Sequence, residues 1–67
     1  MSFADKLRWH RERAGLTRRE VAEKAGVSHF TVRAWELGQS EPRHRAFNAL
    51  CRLFKVPPAG LESDVAA

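Results

Sequence analysis

Apolar residues recur along this chain at intervals of three and four rather than two. That is the period of helices that bury one face. Phe3, Leu7 and Ala14 mark one face of a first helix over about 3–14, with Leu16 just beyond it. Gly15 closes it as a left-handed cap. Thr17-Arg18-Arg19-Glu20 has the form of a capping box, in which hydroxyl and carboxylate satisfy each other's backbone N–H. A second helix follows over about 18–25, with Val21, Ala22 and Ala25 inward, and Gly26 ends it. Ser28 caps a third helix over about 29–37, from which Val32 and Trp35 point inward; Gly38 stops it. A polar loop over 38–43 leads to a fourth helix over about 43–55. Phe47, Leu50, Cys51 and Phe54 share its apolar face, and Glu41 with Pro42 is one option for its start. Pro57-Pro58 ends it, and a last turn over 58–63 drops Leu61 onto the core. Residues 64–67 read as a frayed tail. No run alternates as a strand would. The expectation is an all-α, compact five-helix domain over 1–63.

Size narrows the picture. Sixty-seven residues make one domain, near the lower limit of what folds unaided. Cys51 is the sole cysteine, so no disulfide frames the fold, and a reducing cytoplasm suits it. Nothing reads as a signal peptide or a membrane span, because residues 1–10 are charged and no long apolar run follows.

Charge changes the picture more. Twelve Lys and Arg face eight Asp and Glu, for a net charge of +4. The isoelectric point of about 10.2 lies in the range that marks nucleic-acid binders. A solvated basic surface would give the same sum, so arrangement has to decide.

The arrangement is specific. Only Gly26-Val27-Ser28 separates the second helix from the third, and so tight a turn sets two helices at a steep angle. Ala22 is small where the helices cross, and Gly26 opens the turn at a positive φ. Val21, Ala25, Val27, Val32 and Trp35 supply contacts that fix the angle.

Across about residues 3–62 the chain resembles the phage-repressor/Cro family, also called XRE-like regulators. The stretch 7–17, LRWHRERAGLT, resembles the family's opening. VAEKAGVS over 21–28 resembles its second helix and turn, and VRAWELG over 32–38 its third helix and glycine stop. Glu41-Pro42 and residues 50–56 resemble its fourth helix. The resemblance implies a lambda-repressor-like fold and a domain that binds double-stranded DNA to regulate transcription, most simply as a repressor. Its third helix would lie in the major groove.

On a helical wheel His29, Phe30, Arg33 and Ala34 share the face opposite Val32 and Trp35. The resemblance places base contacts at His29, Phe30 and Ala34. Arg33 joins them because its guanidinium suits guanine O6 and N7. His29-Phe30 departs from relatives that carry amides or small polar residues there. Phosphate contacts are expected from helix ends and loops: Arg18 and Arg19 at the start of the second helix, Thr31 in the third, then Gln39, Ser40 and Arg43. At the position of Arg18 the family often has Gln. The family pairs an Arg of its first helix with a Glu near the end of its third, and Arg11 and Glu36 fill those positions as a structural ion pair. His10 falls where relatives place an aliphatic residue, and reads as a half-buried imidazole with a hydrogen-bond partner. Trp9 lies off the core face, to cover the core's edge or meet another subunit.

Other chemistries find little footing. His10, His29, His44 and Cys51 lack zinc-ligand spacing, and His44 lies about 10 Å along the helix from Cys51, too far to activate a thiol. No Gly-rich phosphate loop is present. Neither enzyme activity, metal, cofactor nor small-molecule ligand is expected, since so small a core has little to hollow out. The partner expected is duplex DNA carrying a palindromic operator, met by a weak homodimer in the cytoplasm or on the nucleoid. The alternative is a protein-interaction module of the same fold, an antitoxin or adaptor whose third helix holds a protein.

Overall fold

The computed structural model describes residues 1–63, so the expected tail over 64–67 lies outside the described residues. Among the described residues it has four α-helices: α1 (Phe3–Arg13), α2 (Arg18–Ala25), α3 (His29–Glu36) and α4 (His44–Phe54). The expected fifth helix is a single 3-10 turn, Pro58–Gly60. Pro57 and Pro58 lack N–H donors, so only Gly60 N–H to Pro57 O and the bonds from Leu61 and Glu62 to Pro58 O close it.

The helix starts follow their capping chemistry. The Ser2 hydroxyl accepts from the Asp5 N–H at the head of α1. At α2 the capping box is complete: Thr17 Oγ1 accepts from Glu20 N–H at 3.1 Å, and Glu20 Oε1 accepts from Thr17 N–H at 2.8 Å. These bonds to Thr17 hold the Glu20 carboxyl below its ordinary pKa. Ser28 caps α3 through the Thr31 N–H. Only α4 departs from expectation. Arg43 is its extended N-cap and makes no side-chain cap bond, so Pro42 precedes the helix instead of opening it.

All four helices end alike. The N–H just after a left-handed residue reaches back to a carbonyl five residues earlier: Leu16 to Arg11, Val27 to Ala22, Gln39 to Ala34 and Val56 to Cys51. This turn requires a left-handed residue. Glycine provides it after α1, α2 and α3, but Lys55 provides it after α4, at φ 57 and ψ 46. An L side chain in that region costs about 1–2 kcal/mol. Lys55→Gly is therefore expected to stabilise the domain by about 1 kcal/mol, after glycine's larger unfolded-state entropy offsets part of the gain. Thermal melting checks this: a rise of roughly 4–8 °C is expected, and an unchanged or lower midpoint contradicts it.

The same geometry corrects the helix bounds. Ala14 and Leu37 are caps outside α1 and α3. Ala14 is therefore exposed rather than part of the apolar face, and Leu37 is half exposed at 50%.

The core gathers one stripe from each helix. Phe3 and Leu7 come from α1, Val21 and Ala22 from α2, Val32 and Trp35 from α3, and Leu50 and Cys51 from α4. Leu61 joins them fully buried, as expected. Phe47 and Phe54 pack against this centre half-buried. Burial pushes the Cys51 thiol pKa up, as suits a small core residue rather than a reactive one. The last turn is tied to α1 by polar bonds. Lys6 Nζ donates to the Ala59 and Glu62 carbonyls, and the Phe3 N–H donates to Ser63 Oγ. His10 is half-buried, with Nε2 3.1 Å from the Gly60 carbonyl and its ring stacked on Phe54. Gly60 has no room for a side chain, since a Cβ there would sit 2.9 Å from Val56 Cβ.

Candidate nucleic-acid interface

Helices α2 and α3 pack on each other, and α3 also packs on α1. Val32 and Trp35 face inward, so the opposite side of α3 is turned to solvent. Phe30 stands there 70% exposed with Arg33 exposed beside it, while His29 and Ala34 are half-buried. The four residues read from the wheel thus belong to one helix face but differ in reach. The His29 and Phe30 rings touch, with centroids 4.2 Å apart.

The expected phosphate ligands divide into two groups. Arg18 and Arg19 share an open groove with Thr17, Arg11 and His29, so the start of α2 lies beside the start of α3. Gln39, Ser40 and Arg43 are exposed on the loop after α3. Thr31 is half-buried, and its hydroxyl lies 3.1 Å from that of Ser28.

Behind this face lies the ion pair. Arg11 Nε donates to Glu36 Oε2 at 2.6 Å, and Nη2 donates to Oε1 at 3.1 Å, the two parallel bonds anticipated from the residue types. A third bond runs from Arg11 Nη1 to the Leu16 carbonyl. The Glu36 side chain is only 1% exposed. The bonded carboxylate raises the Arg11 pKa against the opposing effect of burial. Sequence reasoning missed one member of this cluster. Arg18 Nε also donates to Glu36 Oε1, at 3.1 Å, so this residue is a structural partner as well as a surface cation.

Trp9 is half exposed and lies over the groove between α1 and α4, edge-on to His10 and capped by the Arg13 guanidinium at 5.0 Å. Among the described residues no three metal-ligating side chains gather, and no helix is long and apolar enough to cross a membrane.

The family model of the helix-turn-helix domain matches residues 2–63. The chain belongs to the XRE-like helix-turn-helix domain family, whose members include transcriptional regulators. It is 29% identical over 58 residues to the HTH-type transcriptional regulator DicA of Escherichia coli (strain K12). That match covers 87% of this chain but only 43% of DicA. A second relative, an uncharacterized HTH-type transcriptional regulator of Methanothermobacter thermautotrophicus, is 42% identical over 50 residues, or 69% of this chain and 72% of the relative. The fold matches that of the P22 c2 repressor in complex with synthetic operator 9T, with a TM-score of 0.88 and 21% identity over 92% of this chain and 94% of that one. The P22 c2 DNA-binding domain in solution matches with a TM-score of 0.85, at 21% identity over 98% of this chain and 88% of that one. At such identity these two likenesses speak to fold alone.

Proposed function

We propose that this chain is a sequence-specific binder of double-stranded DNA that represses transcription by occupying a promoter, with α3 seated in the major groove. The observation that carries this reading is the two-sidedness of α3. One side anchors it through buried Val32 and Trp35, and the other presents exposed Phe30 and Arg33. Arg33 donates to guanine O6 and N7, Phe30 packs on a thymine methyl, His29 donates to a base edge, and Ala34 leaves room for a base or its methyl. Arg18, Arg19, Thr31, Gln39, Ser40 and Arg43 grip phosphates on either side. Two copies on a palindromic operator would read half-sites about 34 Å apart. The two copies form a weak homodimer on the DNA, acting in the cytoplasm or on the nucleoid.

The alternative, a protein-binding module, would gain if Phe30 and Trp9 formed one apolar surface. They have different neighbours: Trp9 lies with Arg13, Leu53, Phe54 and Val56, whereas the Phe30 ring meets His29.

Selection of sites from random duplex DNA, followed by salt titration of variants, tests the proposal. Arg33→Ala is expected to relax preference at one guanine, a loss of about 1–3 kcal/mol of discrimination. Arg43 makes no side-chain cap bond, so its removal spares the fold. Arg43→Ala is expected to weaken all sequences alike and to lower the salt slope by about 0.9. Should both variants weaken every site equally, Arg33 does not read a base.

A further inference from the structure

The cluster around Glu36 carries one carboxylate and two guanidiniums, Arg11 and Arg18. The carboxylate is buried, and Arg11 already neutralises it through two bonds. The second guanidinium is therefore a surplus positive charge, held at the mouth of the groove that Arg18 shares with Thr17, Arg19 and His29. Its Nε–H is committed inward, yet the side chain is 38% exposed. Guanidinium is a planar fork, so with Nε fixed the terminal amino groups keep four further N–H donors.

We infer that Arg18 is a positioning residue that joins one DNA phosphate to the reading helix, donating inward to Glu36 and outward to a phosphodiester oxygen. This deepens the proposed function and rests on it. Glu36 is the last residue of α3, so the bridge sets the register between backbone and reading helix. A phosphate in the groove would also balance the surplus charge of the cluster. Phosphate and carboxylate then hold opposite edges of a single planar group, which a flexible side chain could not do.

Lysine separates this role from simple attraction. Arg18→Lys keeps the charge, but a single ammonium cannot span both partners in one fixed geometry. The test uses the full chain and two duplexes, one selected from random sequence and one scrambled. For Arg18→Lys the expected result is a nearly unchanged salt slope with a loss of about tenfold in preference for the selected duplex. Arg18→Gln is expected to lose that preference and also about 0.9 of the salt slope. In a Glu36→Gln background Arg18→Lys is expected to cost no further preference, because the inward partner has already been weakened.

Several outcomes overturn the inference. If Arg18→Lys keeps full preference, Arg18 is a phosphate charge and no bridge. If both variants shift the melting midpoint but leave preference and salt slope intact, Arg18 serves the fold alone. If the parent chain binds neither duplex, the proposed function itself fails and the bridge falls with it.

Discussion

Trp35→Ala is expected to lower the melting midpoint of the domain by at least about 12 °C. Trp35 is 3% exposed and comes from the helix that packs on both α1 and α2. Truncating a buried tryptophan costs about 3–5 kcal/mol, through lost transfer energy and the cavity left behind. A domain of this length has a total stability of roughly 3–10 kcal/mol, from about 0.05–0.15 kcal/mol per residue. One side chain thus accounts for about three-tenths of the stability or more, and in the marginal case for all of it. Thermal melting followed by far-UV circular dichroism checks the expectation. A midpoint within about 5 °C of the parent would contradict it, since 1 kcal/mol moves the midpoint by roughly 4–8 °C at this size. The severity follows from scale: a small core has no second layer to take up the void.

Arg11→Ala is expected to cost about 3 kcal/mol, the low end for breaking a buried ion pair. The low end applies because Arg18 keeps one bond to Glu36 Oε1 after Arg11 is gone. Glu36 would still lose two donors, and the Leu16 carbonyl a third. A double-mutant cycle with Glu36→Ala checks the mechanism. Once the carboxylate is absent, removing Arg11 no longer strands a buried charge. The double variant should therefore be more stable than the sum of the single losses by at least about 1 kcal/mol. Losses that add within roughly 0.5 kcal/mol would mean that the two side chains do not act as a unit. The pair ties α1 to the end of α3, so its loss also loosens the helix assigned to the bases.

The parts of this fold that were legible in the sequence are those encoded locally. Thr17 and Glu20 announce the start of α2 because both capping bonds lie within four residues. The same holds for Ser28 at α3, and for Gly15, Gly26 and Gly38 as left-handed stops. Arg11 and Glu36 lie 25 residues apart, and it was family resemblance rather than local chemistry that paired them. Lys55 was missed as a left-handed residue because nothing in a lysine signals that backbone, and only the prolines after it hinted at a stop. Ala14 was misread because periodicity continues past the residue where hydrogen bonding ends the helix. The five-helix expectation failed for a related reason: a pattern can place Leu61 on the core without saying how many residues around it are helical.

At the candidate site the limit was different in kind. The exposed face of α3 follows from its wheel, and Phe30 and Arg33 stand where periodicity put them. Arg18 was read as a surface cation because sequence shows charge but not direction. Its bond to Glu36 spans 18 residues and two helices, beyond any local pattern. The Lys6 bonds to Ala59 and Glu62 were invisible for another reason, since their acceptors are backbone carbonyls that every residue carries.

Backbone amide shifts, mapped as a duplex selected from random sequence is added, report whether the solvent side of α3 meets DNA. The largest shifts are expected at His29, Phe30 and Arg33 and at Arg18 and Arg19, fading as salt is raised. Shifts confined to the groove around Trp9 and Leu53, or none at low salt, would contradict that contact.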